Sequence, residues 1–142
     1  KRIEHIAKYT NRPIYISVST NEAVKDLLKD HLYTEGLLMR YSAKPYDNLA
    51  VMRRNYENTY LLDYLYESFY RETLTKVGFD IKAVKMLSIY YVPAFKSLLQ
   101  FYKESGDVTH YDKLHALLES IIKKADYYNE EVRERYLKSI NF

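Results

Sequence analysis

The chain has no cysteine and no tryptophan, and only three glycines and three prolines among its 142 residues. The missing cysteines exclude disulfide staples, Cys-type zinc sites and thiol chemistry together. They leave the redox compartment open, since a domain of this length buries enough apolar surface to fold without cross-links. So few glycines and prolines, at Gly36, Gly78, Gly106, Pro13, Pro45 and Pro93, argue against disorder and against many tight turns. No apolar run approaches the ~20 residues that span a bilayer as a helix, and no signal-peptide pattern opens the chain. Because the first residue is Lys1, the sequence is expected to be an excised or processed piece of a longer one. A dominant charge is lacking too: 22 basic and 19 acidic residues, a formal +3, are distributed along the whole length. No face is expected to carry the field that nucleic-acid binding requires.

Tyrosine is what the chain has in excess, with 17 copies. A tyrosine ring supplies large buried area while its hydroxyl wants a partner, so clusters of them suit helix interfaces whose edges stay wet. The competing reading is a surface on which a sugar or peptide stacks. Hydrophobic content of 47% is ordinary for a globular protein, and one domain over residues 1–142 is expected. It divides into a strand-helix-strand element over about 1–45 and a helical bundle over about 46–142.

The patterning supports a mainly α fold behind that small element. Ile14, Ile16 and Val18 alternate with Tyr15, Ser17 and Ser19, the period of a half-buried strand, and Pro13 stands at its start, where a missing donor is tolerated. Ser19 three residues before Glu22 has capping-box spacing, and Val24, Leu27, Leu28 and Leu32 then share one helical face, predicting a helix from Glu22 to Leu32. Leu37, Met39 and Tyr41 alternate up to Pro45 and predict a second short strand that pairs with the first, giving a βαβ-like or irregular two-strand unit.

Beyond Pro45 the period becomes helical, with Asp47 a candidate N-cap and Leu49, Met52, Tyr56, Tyr60 and Tyr64 in one stripe. Leu62, Leu65 and Phe69 form an offset stripe, which means either one helix packed on two sides or two helices broken near Asn58. A long helix is predicted from Ile81 to Glu104, kinked by the internal Pro93. Ser105-Gly106-Asp107 then turns the chain, and Thr109 with Asp112 resembles a capping box. The stripe Tyr111, Leu114, Leu118, Ile121, Ile122 and Ala125 predicts a helix antiparallel to the one before. A last helix is expected from near Asn129, carrying Val132, Tyr136, Leu137 and Ile140. Helix, turn, helix and a further helix is the local logic of tetratricopeptide-like repeats, although that consensus is not met.

Chemistry-bearing constellations are harder to find. His110 and His115 are five apart and so lie on different faces of a helix, while His5 and His31 are isolated, which argues against a metal site. A Gly-rich phosphate loop, a GxSxG elbow and a Cys/His pair are all missing, so neither catalytic residues nor a cofactor site is expected. Glu57, Asp63, Glu67 and Glu72 at helical spacing read as a solvated face. Arg12 beside one strand and Arg40 in the other, near Tyr15 and Tyr41, form the one candidate binding patch, for phosphate or glycan. The alternative is structural: Arg12 and Arg40 bind carboxylates such as Glu35 or Asp47 and fix the strand-helix junction.

Three ordered motifs, NRPIYISVS, then LYTEGLLMRYS, then PYDN, resemble the soluble C-terminal region of a family of multi-pass membrane proteins from Bacteroidota. These are the protein O-mannosyltransferase-like glycosyltransferases of GT-C type. The resemblance covers roughly Ile6 to Leu65, and the chain departs from longer members in lacking a tryptophan after PYDN. It implies that transfer chemistry belongs to a membrane-embedded part of the parent, so no catalytic residue carries over. The implied role is a non-catalytic module for interaction or structural support, on the periplasmic side of the inner membrane in the cell envelope. Its partner would be the rest of that parent or another protein. Alternatives from other classes are a carbohydrate- or polymer-binding module presenting substrate to the membrane site, and an unrelated helical-repeat adaptor.

Overall fold

The computed structural model of the chain describes residues 2–10, 12–60, 62, 88–125 and 128–142. The fold is mainly α. Its helices are α1 (Arg2–Tyr9), α2 (Glu22–Asp26), α3 (Asn48–Asn58), α4 (Tyr91–Ser105), α5 (Val108–Lys124) and α6 (Glu130–Ile140). Strands β1 (Ile14–Ser17), β2 (Leu32–Thr34) and β3 (Leu38–Tyr41) make one small sheet near the N-terminus. Among the described residues no helix is long and apolar enough to cross a membrane.

Among the described residues, four of the six helices begin on an Asp or Asn whose side chain accepts a backbone N–H that the helix itself leaves unpaired. Asp47 takes Ala50 N at 2.9 Å, Asp107 takes His110 N at 3.2 Å, Asn129 takes Val132 N at 2.9 Å and Asn21 takes Ala23 N at 2.8 Å. The caps expected at Asp47 and near Asn129 are therefore in place. Those expected at Ser19 and Thr109 are replaced by neighbours, Asn21 and Asp107. Ser19 is instead tied to Ser17, whose hydroxyl accepts the Ser19 amide at 3.2 Å.

The segment predicted as one helix from Glu22 to Leu32 does not hold together as one. The helix stops at Asp26, a 3-10 turn spans Lys29–His31, and Leu32 opens a strand. The apolar stripe that suggested a longer helix gains little burial, with Val24 40% and Leu27 83% exposed, while pairing with β3 satisfies the backbone from Leu32 onward. The sheet thus has three strands rather than two, in the order β1-β3-β2, with both pairings antiparallel. The second predicted strand does pair with the first: Ile14 stands opposite Tyr41, Tyr15 opposite Arg40, Ile16 opposite Met39 and Ser17 opposite Leu38. Tyr33 of β2 also stands opposite Arg40, from the other side.

The helical part is organised by the turn between α4 and α5. Gly106 adopts the left-handed region (φ 72°), its N–H bonds Lys103 O at 3.2 Å, and the Asp107 N–H bonds Tyr102 O at 3.0 Å. This pair of bonds is the Schellman arrangement, and it uses up two carbonyls that the end of α4 would otherwise leave bare. Asp107 immediately caps α5, so two residues reverse the chain and force the two helices side by side. Across that interface Phe95, Leu98, Leu99 and Tyr102 of α4 and Leu114, Leu117, Leu118 and Ile122 of α5 are all at 0–1% exposure. Helix α6 packs on both, through the fully buried Ile140, and α3 packs on α4 through Met52 and Tyr56.

Pro93 does not kink a long helix. It is the third residue of α4, within the first turn, where its missing N–H has no intrahelical partner to lose. The chain is helical at Ser88, turns at Ile89 and Tyr90, and restarts at Tyr91. Helix α3 ends at Asn58, where the sequence offers a break. The expectations for Tyr64, Leu65, Phe69 and Ile81–Leu87 lie outside the described residues.

Phe95 is the hub of this core, with the rings of Tyr56, Tyr60 and Tyr91 centred 5.6, 5.8 and 5.9 Å from its own. Truncating Phe95→Ala should lower stability by about 3 to 5 kcal/mol, through lost transfer energy and the cavity left behind. Urea unfolding checks this; a loss under about 1 kcal/mol would show that the hairpin is not where the stability resides.

Candidate functional site

The residues expected to form a binding patch are only partly brought together. Tyr15 and Arg40 are direct cross-strand neighbours and so project from one face of the sheet, with Tyr33 of β2 on the other side of Arg40. Tyr41 follows Arg40 in the strand and therefore faces the opposite way. It is 8% exposed, and its ring lies 5.6 Å from that of His31. Arg12 is exposed ahead of β1. The patch seen in the structure is thus Tyr15, Arg40 and Tyr33, joined by two residues from flanking loops, Glu35 and Tyr46.

Glu35 is the organising group. It sits at the β2–β3 reversal and is 6% exposed, the one polar or charged residue in the buried set among the described residues. A carboxylate so placed needs hydrogen-bond donors and counter-charge to offset its lost hydration. The Tyr46 hydroxyl donates to Oε1 at 2.5 Å, and Arg40 Nη1 lies 3.9 Å from the same oxygen. The Arg40 guanidinium also lies 5.3 Å from the centre of the Tyr46 ring, and the Tyr33 and Tyr46 rings are 5.1 Å apart. The structural alternative for Arg40 is therefore realised with Glu35. Asp47, the other carboxylate considered, caps α3 instead.

The same hairpin is pinned to α3. Asn55 Nδ2 donates to Glu35 O at 3.0 Å, Asn48 Nδ2 donates to Thr34 O at 2.8 Å, and the Leu37 N–H reaches the Tyr60 hydroxyl at 3.4 Å. Gly36 has φ 119°, a conformation that side-chain-bearing residues rarely adopt, and a Cβ there would meet the Tyr60 hydroxyl at 2.4 Å. Glycine is required here twice over, by backbone angle and by space.

A second polar joint connects α3 to the α4–α5 turn. Glu57, read from the sequence as part of a solvated face, is exposed as a residue, while its carboxylate turns onto the hairpin. Its Oε1 accepts the Tyr102 hydroxyl at 2.8 Å and pairs with Arg53 Nε at 3.2 Å. His110 stacks on Tyr102, ring centres 5.1 Å apart, and bonds Asp107 Oδ2 through Nδ1 at 2.8 Å. Asp63, Glu67 and Glu72 lie outside the described residues. Among the described residues no group of three or more His, Asp or Glu is placed to hold a metal ion.

The electrostatics follow from these contacts. The Tyr46 and Tyr102 hydroxyls are both held well above the usual tyrosine range, by burial first and then by the hydrogen bonds they donate to Glu35 and Glu57 and by the charge of those carboxylates. Tyr15 is raised for the same reasons, burial first and Glu35 second, with Arg40 opposing. The carboxyl of Asp107 is held below its ordinary value, by the His110 backbone N–H first and the His110 ring second. The sheet face thus combines tyrosine rings with the Arg40–Glu35 ion pair.

Tyr33 and Tyr46 were not singled out from the sequence. Tyr33 is hidden by the helical pattern that runs up to Leu32, whereas Tyr46 stands within PYDN and has no periodic partner to mark it.

Two measurements check this picture. Glu35→Ala strips the acceptor from the Tyr46 hydroxyl and should cost about 1 to 3 kcal/mol in urea unfolding. Arg40→Ala should cost about 1 kcal/mol or less, because the Arg40 side chain is 42% exposed and its pairing is screened; a larger loss for Arg40 than for Glu35 would reverse the hierarchy. The raised tyrosines also give a pH signature. Their contribution is fully present below the ordinary tyrosine value of 10.0 and is lost as pH rises beyond it through the raised folded-state values. The urea midpoint should fall above about pH 10, and Tyr102→Phe should flatten that fall.

Comparison with protein-family models, with curated protein sequences and with solved structures gives no match to this chain.

Proposed function

We propose that this chain is a non-catalytic module that gives interaction or structural support to a larger membrane glycosyltransferase-like protein of GT-C type, on the periplasmic side of the inner membrane. The parent assignment is supported by the resemblance of NRPIYISVS, LYTEGLLMRYS and PYDN. One observation carries the non-catalytic reading: the polar residues of the last two motifs are engaged in joining the sheet to α3. Glu35 binds Tyr46 and pairs with Arg40, Asp47 caps α3, and Asn48 holds Thr34. Gly36 meets Tyr60 where no other residue fits. Residues fully used in architecture of this kind favour a docking element over a reaction centre.

A second reading has its own support. Tyr15, Tyr33 and Arg40 side by side on one sheet face suit a carbohydrate- or polymer-binding module that presents substrate to the membrane site.

Incubation of the purified chain with a lipid-linked sugar donor and an acceptor peptide should give no transfer. Transfer that a point substitution within the chain abolishes would overturn the proposal. Arg40→Ala or Tyr15→Ala proteins that keep their stability yet lose binding to an immobilised glycan would favour the second reading.

A further inference from the structure

A cleft of about 370 Å³ lies between the end of α3 and the beginning of α5, away from the sheet. The volume is at the small end of the range for ligand pockets. Its polar wall is set by the tautomer of His110. The Asp107 carboxylate can only accept, so His110 Nδ1 carries the proton shared at 2.8 Å, and in the neutral ring Nε2 presents a lone pair. That nitrogen faces Glu57 Oε1 across 3.9 Å, beyond hydrogen-bond distance. Glu57 Oε1 is already occupied by Tyr102 and Arg53, and the carboxylate carries a second oxygen that can only accept. In that tautomer of the neutral ring two acceptors meet at this wall, and a group settling there must bring two donors side by side.

The remaining lining narrows the class. Tyr60 and Leu62 supply an apolar wall, and Thr109 supplies a hydroxyl that both donates and accepts. Anions are opposed by the Glu57 and Asp107 carboxylates, while cations are opposed by Arg53, already paired with Glu57, and by Lys113 on the lining. The geometry points to a small uncharged ligand with adjacent hydroxyls, a single sugar ring or comparable polyol. One hydroxyl donates to His110 Nε2, its neighbour donates to Glu57, and the C–H face rests on Tyr60. This inference stands on the cleft alone and does not depend on the parent protein or on the sheet-face reading.

The test is a titration of the isotope-labelled chain with D-glucose, D-galactose and glycerol, and separately with inorganic phosphate and choline, followed by nuclear magnetic resonance. The His110 ring and the amides from Thr109 to Lys113 are expected to shift with at least one of the sugars at millimolar concentration and to stay put with phosphate and choline. Glu57→Gln keeps an oxygen for Tyr102 but replaces an acceptor by a donor, and Thr109→Val removes the hydroxyl. Each should weaken sugar binding by about tenfold, with the circular-dichroism melt confirming a folded chain. Tyr15→Ala, on the sheet, should leave it unchanged. Sugars that move none of these signals, phosphate or choline that moves them equally, or a folded Glu57→Gln chain that binds as tightly as the parent sequence would each overturn the proposal.

Discussion

Burying the Glu35 carboxylate sets the terms for the N-terminal half of the molecule. At 6% exposure its carboxylate needs a donor and a counter-charge, and these come from two separate places. Tyr46 arrives from the loop before α3, Arg40 from the central strand, and Asn55 from within α3 holds the same residue's carbonyl. One residue, through its carboxylate and its carbonyl together, thereby ties the sheet, the loop and the helix to one another. A three-stranded sheet with short strands gains little from its own hydrogen bonds, so this external anchoring is what gives it a defined position.

The helical half is held differently. Its centre is a cluster of buried side chains around Phe95, Leu98, Leu114 and Leu118, with tyrosine rings packed among them. Tyrosine suits that cluster: Tyr102 is 1% exposed, yet its hydroxyl reaches Glu57. A phenylalanine at this position would bury as well but would leave α3 without its tie to the turn. At Tyr46 the arrangement is reversed, with a half-buried ring whose hydroxyl donates to the buried Glu35 carboxylate.

Local rules recovered much of this. Asp47, Asn129 and the Ser105-Gly106-Asp107 turn could be read directly because capping and chain reversal depend on a few adjacent residues. So could the core stripes of α4 and α5, where period and burial agree at Leu98, Leu99, Leu114 and Leu118. The failures involve partners distant in sequence. Leu32 belonged to an apolar helical pattern, and only pairing with β3 makes it a strand residue. Tyr41 seemed to belong with Arg40 because they are adjacent, whereas strand geometry sends neighbours to opposite faces. Glu57 reads as solvent-facing at its helical spacing and the residue is exposed, yet its carboxylate is engaged by Tyr102, far along the chain. Pro93 suggested a kink only because the pattern before it blurred the start of α4.

The strand order β1-β3-β2 leaves an outer strand on each side, and unpaired edges are where sheets recruit further chains. Here both edges are short: β1 has four residues and β2 has three. Pro13 directly precedes β1, the Thr20 N–H folds back onto the Ser17 carbonyl at 3.0 Å, and the Lys25 ammonium reaches the Val18 carbonyl at 3.2 Å. On the other side, Asn48 occupies the Thr34 carbonyl at the end of β2. The sheet thus carries Tyr15, Tyr33 and Arg40 side by side while its strand edges are too brief, and too nearly closed at their ends, to seed stacking into fibrils.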